Sequence, residues 1–384
     1  MDTDINFPVY RLSGIIMTRI QFERGALTIG IAAFLLASGG LAIFAQQKSP
    51  PRSAVATPPE LGRVAFLRDY AVASKKAKAD NKPLLVLFDE VPGCATCTGF
   101  GSGPLSHPIV VSAAESEFVP LAVFNNVVGQ DAEVLKAFNE PAWNNPVVRF
   151  LTASGVDLIP RKDGDYSTAF VLTRMVAALE TAKRPVPVYL KLAVAEYAPT
   201  KTEMAVFAMY CYWEGEAKLG ALDGVIGTRI GELGGSEVVE VTFNPTVIGY
   251  KKLVEKASEL DCTHKVFARS ATQLTVAKGV VGDKAVQSDK PVDTRTQQQY
   301  HLAHYPAYYY LPLTAAQASR ANAALAARKW PDEYLSPHQL ELKKRLDTIS
   351  ASELKALKQL TPDRTPTGIV KYAEAVRAVL RREK

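Results

Sequence analysis

The chain has 384 residues, 47% of them hydrophobic and 22% charged, which is long enough for two globular domains. This composition excludes a disordered or fibrous protein, and a formal net charge of +6 is modest for the length. Since no finger, homeodomain or RNA-binding signature accompanies that charge, we predict no nucleic-acid partner.

An uncharged segment, residues 25–45, has about the length that a membrane span requires. Three arginines precede it: Arg11, Arg19 and Arg24. The positive-inside rule then leaves the downstream chain outside the cytoplasm, on the periplasmic side. A cleaved signal and a retained anchor are both open. We therefore expect residues 1–60 to hold a signal or membrane anchor and a proline-rich linker, in a protein that is membrane-anchored or secreted.

A pair of cysteines follows the first predicted strand. A helical pattern over residues 61–81 leads to Pro83–Phe88, a continuous apolar run that is typical of a buried central strand. Cys94 and Cys97 come next, where we expect a helix to begin. Free amides and the helix dipole at that point favour the thiolate and so lower the pKa of the first thiol. We therefore favour a redox-active pair.

Two other interpretations of this pair are open, a structural disulfide and half of a zinc site. A disulfide across two intervening residues would constrain little chain entropy. Zinc needs two more ligands at suitable spacing, and the chain has no second CxxC. His301 and His304 are a further metal candidate, but no acidic or cysteine partner lies at a persuasive spacing. We predict neither a metal nor a cofactor.

The elements after the CxxC continue an α/β pattern. In order they are a strand, a helix and a strand preceded by Asn145-Pro146: Phe118–Phe124, Asp131–Phe138 and Val147–Leu151. Over residues 61–198 the chain resembles the thioredoxin fold, in which a cis-proline before a strand faces the CxxC. Pro146 matches that position. The segment 91–99 (VPGCATCTG) departs from the thioredoxin core and looks like a thioredoxin-like subgroup in which selenocysteine can occupy the first sulfur position.

A second α+β unit is predicted after residue 199. A lone cysteine again follows a strand and precedes a helix, so the same reasoning applies to Cys211. The predicted elements are strand Met204–Tyr210, helix Glu214–Leu222, strands Val225–Ile230 and Glu237–Phe243, and helix Val247–Leu260.

These residues resemble class A peptide methionine sulfoxide reductase. The family motif Gly-Cys-Phe-Trp-Gly-x-Glu is matched by YCYWEGE at 210–216, and three similar segments follow in the family's order: 223–231, 237–245 and 247–250. The resemblance implies an α/β thioredoxin-like domain followed by an α+β reductase-like domain over residues 199–330. We expect residues 331–384 to form a helical C-terminal extension.

The resemblance also implies roles for individual residues. Cys211 would attack the sulfoxide sulfur, and Glu237 would protonate the departing oxygen, a role that requires a raised pKa from burial beside aromatic side chains. Tyr212 and Trp213 would form an aromatic wall for the methyl group. Tyr300 would belong to the substrate site, because Gln299-Tyr300 resembles a Gln-Tyr of the family.

Two of the chain's departures from the family affect the expected chemistry. Only Ser236 separates Gly235 from Glu237, where the family has a longer loop with a pocket tyrosine. The family's C-terminal resolving cysteine is not recognisable. We hypothesise that Cys262 replaces it and that Cys94 then reduces the resulting disulfide. An inert core cysteine is the alternative.

Three elements are expected near the C-terminus. Residues 305–310 (YPAYYY) read as a strand, a core edge or a pocket wall. Ala315–Ala327 reads as a helix, and Ser336–Gln339 as a capping box that begins another.

Three functions are therefore open. The first is reduction of methionine-S-sulfoxide, free or in proteins, with electrons from an upstream thiol-disulfide donor relayed through Cys94 and Cys97. The second is an extracytoplasmic thiol-disulfide oxidoreductase whose reductase-like domain only binds. The third is an oxidant-sensing or binding module without catalysis.

Overall fold

The computed structural model describes residues 57–199, 201–295 and 298–381. Helices and strands alternate along the first half in the order α1 (Tyr70–Asp80), β1 (Leu84–Asp89), α2 (Ala95–Ser102), α3 (Pro108–Glu117), β2 (Val119–Phe124), α4 (Gln130–Ala137), β3 (Val147–Leu151), α5 (Thr168–Thr181) and α6 (Val188–Tyr197). The second half begins with β4 (Glu203–Met209), α7 (Tyr212–Gly220), β5 (Val225–Leu233), β6 (Ser236–Phe243), α8 (Tyr250–Ser258), β7 (Thr263–Ala268), α9 (Ala271–Val281), β8 (Ala285–Gln287) and β9 (Asp293–Thr294). It ends with α10 (Tyr300–Ala303), α11 (Pro306–Tyr309), α12 (Ala315–Ala326), α13 (Pro337–Leu346), α14 (Ala351–Leu357) and α15 (Ile369–Arg381).

The first sheet has three strands in the order β2-β1-β3, with β1 parallel to β2 and antiparallel to β3. The apolar run predicted as a central strand is confirmed, because every residue of β1 is buried. Leu85 and Leu87 enter one hydrophobic cluster, whereas Leu84 and Val86 enter the cluster on the opposite face. Helices therefore cover both faces of this sheet.

The second sheet has six strands in the order β8-β7-β4-β6-β5-β9, antiparallel except for β7 and β8. Strands β5 and β6 form a tight hairpin whose two-residue turn is Gly234-Gly235, both with positive φ. Glycine adopts such φ angles without steric cost, which accounts for the short connection. The main core of this half gathers residues of β4, β6, α8 and β7 on one face of the sheet.

Helices α10 to α15 share a third hydrophobic cluster that includes Leu302, Leu325, Leu346 and Val376. This cluster contains residues from both sides of the predicted boundary at 330/331, and the division into domains stays a prediction. Contacts also join the helices around the two sheets: Glu196 of α6 accepts hydrogen bonds from the first amides of α12.

Three expected elements differ from the structure. The first helix begins at Tyr70, because Asp69 caps it by accepting a hydrogen bond from the Val72 amide. Residues 306–309 form the short helix α11, since Pro306 at its first turn has a φ angle suited to a helix. The helical tail is divided into α13, α14 and α15, and the predicted capping box at Ser336 is confirmed.

Within the described ranges, no helix is long and apolar enough to cross a membrane. The segment 25–45, on which the membrane and export predictions depend, lies outside those ranges.

Candidate active site

Cys94 and Cys97 lie at the start of α2, directly after β1, as the spacing predicts. Cys94 is the N-cap residue and is exposed, whereas Cys97 lies one turn on and is buried. Their sulfur atoms are 3.3 Å apart as free thiols. The Cys97 amide, followed by the Cys97 thiol, lowers the pKa of the Cys94 thiol. Cys94, which is exposed and has a lowered thiol pKa, is therefore the better nucleophile of the two.

Cys97 has the opposite environment. Burial, followed by the neighbouring Asp89 carboxyl group, raises the pKa of its thiol to about 12. The thiol donates a hydrogen bond to Oδ1 of Asn145 at 3.0 Å, and the Asn145-Pro146 bond is cis, as the match of Pro146 implies. The proline loop therefore lies against the buried sulfur.

Asp89 was not identified from the sequence. It is the last residue of β1 and fully buried; its Oδ1 accepts the Glu90 amide, and its Oδ2 has no hydrogen-bond partner among the described residues. Burial raises the pKa of this carboxyl group to about 6. A charged residue that ends an otherwise apolar strand, five positions before a CxxC, is the signal that could have revealed it. Asp89 is placed to exchange a proton with Cys97.

Cys211 begins the second constellation. It is the half-buried N-cap residue of α7, and it packs with Tyr212 against the core that contains Cys262. Cys262 is 9% exposed, and its carbonyl oxygen accepts the Tyr210 amide at 2.9 Å. Burial, then the negative charges of Glu214 and Cys211, raise the pKa of the Cys262 thiol. The two cysteines that we predicted to act as a pair therefore lie at the same hydrophobic core.

Three aromatic residues of the predicted substrate site form one group. Trp213 stacks on Tyr300 with ring centroids 5.2 Å apart and meets Tyr212 edge-on at 5.3 Å. Trp213 stays 40% exposed, so its indole ring is accessible from solvent. Tyr212 and Trp213 follow Cys211 directly at the start of α7, and Tyr300 stacks on Trp213, so the three rings form one aromatic group at that end of the helix.

Glu237 lies near this group but is not buried beside it. Its half-exposed carboxylate pairs with Arg295 at 2.7 Å, and Arg295 also pairs with Glu232 at 2.9 Å. The Arg295 guanidinium lies over the Tyr212 ring, 4.9 Å from its centroid. Glu237 therefore contacts the aromatic group through a cation, an arrangement that the sequence pattern did not predict.

A fully buried carboxyl group near this site is that of Glu216, which matches the last residue of the cysteine motif but received no predicted role. Its two oxygens accept the backbone amides of Gln299 and Tyr300 at 2.9 and 3.0 Å. Burial raises its pKa to about 7. Because these amides belong to the turn that carries Tyr300, Glu216 positions that ring against Trp213.

No group of metal-ligating side chains occurs within the parts of the chain that the structure describes. His304 bonds through Nδ1 to the Tyr300 carbonyl oxygen at 2.8 Å, and both His301 and His304 meet the Tyr300 ring edge-on. The two histidines are thus packed around an aromatic residue of the site.

Comparison with known proteins gives matches over part of the chain. Peptide methionine sulfoxide reductase A5 of Oryza sativa subsp. japonica is 42% identical over 74 residues, which cover 16% of this chain and 29% of that protein. A mitochondrial peptide methionine sulfoxide reductase of Mus musculus is 31% identical over 117 residues, 25% of this chain and 49% of the relative. Peptide methionine sulfoxide reductase MsrA of Salinispora arenicola is 31% identical over 148 residues, which cover 34% of this chain and 56% of that protein.

The chain thus spans between 29% and 56% of the length of these three relatives. No protein-family model matches it. A solved structure titled "DsbH Oxidoreductase" aligns with 32% of this chain and 90% of its own, at 20% sequence identity and a TM-score of 0.27. That overlap is too loose to support an argument about function.

Proposed function

We propose that this protein reduces methionine-S-sulfoxide, free or in proteins, at Cys211. The observation that carries the proposal is the grouping of a cysteine at a helix N-terminus, a second cysteine at the same core and an aromatic group on the first turn of that helix. The partial similarity to peptide methionine sulfoxide reductases supports it.

The first step transfers an oxygen atom. The Cys211 thiolate attacks the sulfoxide sulfur and takes its oxygen atom. Cys211 thereby becomes a sulfenic acid, one proton is consumed, and methionine is released. Tyr212, Trp213 and Tyr300 would hold the methyl group and thioether against their rings. Glu237 would supply the proton once its carboxyl group leaves the ion pair with Arg295.

The second step forms a disulfide. The Cys262 thiol condenses with the Cys211 sulfenic acid, an S–S bond forms, and water leaves with the oxygen. The shared hydrophobic core supports this pairing, because both side chains contact the same cluster. The Cys211–Cys262 disulfide then needs two electrons and two protons to return to thiols.

The third step supplies those electrons from Cys94 and Cys97. The Cys94 thiolate would attack the disulfide, Cys97 would resolve the mixed disulfide, and the Cys94–Cys97 disulfide would remain for an upstream thiol donor to reduce. The exposed first sulfur and the buried second sulfur support this order of attack.

The experiment that tests the activity supplies resolved S- and R-sulfoxides with dithiothreitol. We expect turnover of the S epimer alone, lost in Cys211→Ser and retained in Cys94→Ser. No turnover of either epimer by a folded protein would contradict the proposal.

A count of methionine formed without added reductant tests the relay. The fully reduced protein should release about two methionines per chain, one for each dithiol, and Cys94→Ser should release about one. One methionine from both proteins would show that Cys94 and Cys97 do not deliver electrons to Cys211.

The CxxC environment favours a second candidate function, a general thiol-disulfide oxidoreductase whose reductase-like half only binds a client. An exposed thiol of lowered pKa next to a buried one is what such an enzyme needs. Reduction of a disulfide substrate by a Cys211→Ser protein, together with failure of the sulfoxide assay, would favour it.

We further propose that the protein works outside the cytoplasm, anchored or secreted through the segment 25–45. This rests on the apolar run and the arginines before it. Fusion of a periplasm-dependent reporter after residue 60 should be active, and an inactive but expressed fusion would contradict the localisation.

A further inference from the structure

A short 3-10 helix, Pro59–Leu61, packs directly on the helix that carries the CxxC. A Cβ atom on Gly101 of α2 would lie 2.0 Å from the Pro59 carbonyl oxygen and 2.5 Å from that of Glu60. Only a glycine therefore allows the two backbones to approach this closely. The close contact holds Glu60 in a defined place beside Cys94 and Cys97.

Glu60 reaches from this helix to the turn before Cys94. The residue is 3% exposed, and its Oε1 accepts the Gly93 amide at 2.8 Å. Gly93 in turn lies against Cys97, because a Cβ atom there would be 2.7 Å from the Cys97 Cβ and 3.0 Å from its sulfur. One hydrogen bond thus ties a carboxyl group to the backbone just before Cys94, at a residue that packs against Cys97.

Two carboxyl oxygens behind the pair have no hydrogen-bond partner among the described residues, Oε2 of Glu60 and Oδ2 of Asp89. Two buried carboxyl groups that interact cannot both ionise without cost, so one of them retains its proton to a higher pH. Asp89 is the group that retains the proton, because burial raises the pKa of its carboxyl group to about 6.

We propose that Glu60 is a positioning residue for the redox pair: it orients the turn before Cys94 and, through its charge, controls the proton on Asp89 that Cys97 must exchange. This inference rests on the proposed redox role of Cys94 and Cys97. It assigns a function to a residue outside both motifs.

The proton is needed in one step. When Cys94 carries a mixed disulfide, the Cys97 thiol loses its proton to the Asp89 carboxylate, the Cys97 sulfur attacks Cys94, and the bound thiol leaves as a thiolate. Asp89 must be ionised for this, so the rate rises with pH through the pKa of Asp89, about 6. Burial is the largest cause of this raised pKa, and the acidic groups that raise it further are Glu60 and Glu90, the residue that follows β1. Asp89 in turn raises the pKa of the Cys97 thiol.

Reaction of the reduced full chain with dithiobis(nitrobenzoate) tests this. Cys211→Ser and Cys262→Ser are present throughout, so that only one dithiol reacts. Attack of Cys94 on the reagent releases one thionitrobenzoate and leaves a mixed disulfide on Cys94. Attack of Cys97 on that mixed disulfide then releases a second thionitrobenzoate. The rate of the second release is followed from about pH 4.5 to about pH 8.

We expect the midpoint of the second release, near pH 6 in the parent, to move to lower pH by about half a unit to one unit in Glu60→Gln. The glutamine still accepts the Gly93 amide, so the first release should change less than about twofold. Glu60→Leu removes the acceptor as well and should slow the first release about three- to tenfold. Glu90→Gln, a half-exposed neighbour, is the matched control and should move the midpoint less than Glu60→Gln does.

The inference is wrong if Glu60→Gln leaves the midpoint within about 0.2 units of the parent, or if Asp89→Asn keeps the same pH dependence. A purely structural role of Glu60 would change the rate equally at every pH. If the parent shows no second release at all, the redox role of the pair fails and the inference fails with it. An inactive sulfoxide reductase with the expected midpoint shift would instead contradict only the proposed function.

Discussion

The protein carries two cysteine pairs, and they are built in different ways. Cys94 and Cys97 belong to one turn of one helix, and their sulfur atoms are 3.3 Å apart. Cys211 and Cys262 come from different elements and share a hydrophobic core. Local spacing therefore defines the first pair, whereas only the packing of β4, α7 and the loop before β7 brings the second pair together.

The acidic residues near the two pairs also differ in their burial and in their hydrogen-bond and ion-pair partners. Asp89 is buried beside Cys97 with one oxygen unpaired. Near Cys211, Glu237 is half-exposed and paired with Arg295, and the buried Glu216 is occupied with two backbone amides. The first pair therefore has the unpaired Asp89 carboxyl oxygen as a proton acceptor, whereas the Glu237 carboxylate of the second pair is bound by Arg295.

The largest effect is expected from Cys211→Ser, which removes the proposed nucleophile. Turnover of the S-sulfoxide with dithiothreitol should fall by about a thousandfold or more. Cys94→Ser serves as the control because dithiothreitol replaces its function. Equal losses in both variants would break the division of roles between the two pairs.

Glu237→Gln should lower kcat by about a hundredfold, since a general acid contributes a factor of this size. Glu232→Gln is the matched control, because Glu232 pairs with the same arginine, Arg295. Steady-state kinetics at several pH values measure the change. If the two variants behave alike, Glu237 acts on Arg295 and not on the substrate.

Cys262→Ser should leave a sulfenic acid on Cys211 after one turnover, which dimedone labelling and mass spectrometry detect. Turnover supported by a protein thiol donor should fall by about tenfold or more, while dithiothreitol still supports it. Unchanged turnover with the protein donor and no labelled Cys211 would identify Cys262 as an inert core residue.

Glu216 should make the fold less stable as the pH rises. Its pKa is raised from 4.5 to about 7 by burial, so the folded state binds its proton more tightly than the unfolded state does. The free energy of unfolding should therefore fall through this group between about pH 4.5 and pH 7, by up to about 3 kcal/mol.

Denaturant unfolding of Glu216→Gln tests this: the variant should show a shallower decline across that pH range than the parent does. Asp89 and Glu196, also of raised pKa, contribute a residual slope in both proteins. The exposed Glu214, two positions earlier on α7, provides the control substitution Glu214→Gln. An identical pH dependence in parent and Glu216→Gln would exclude Glu216 as the source.

Much of the fold and part of the site could be predicted from the sequence. The apolar run before Cys94 is β1, the runs before Cys211 and at Glu237 are β4 and β6, and the proline matched to the thioredoxin pattern follows a cis bond. Such features depend on residues a few positions apart, because period-two and period-3.6 patterns and caps act over one or two turns. The aromatic group of Tyr212, Trp213 and Tyr300 could be named because the resemblance supplied it.

Only the tertiary structure decided the charges around the sulfur atoms. Asp89, Glu60 and Glu216 are buried by chain segments far from them in sequence, and Arg295 reaches Glu237 from beyond α9. Burial and ion pairing set the pKa of a carboxyl group, and both are properties of neighbours in space. The sequence by itself determined which sulfur atoms lie at helix N-termini, and the packing of distant segments determined which acidic groups face them.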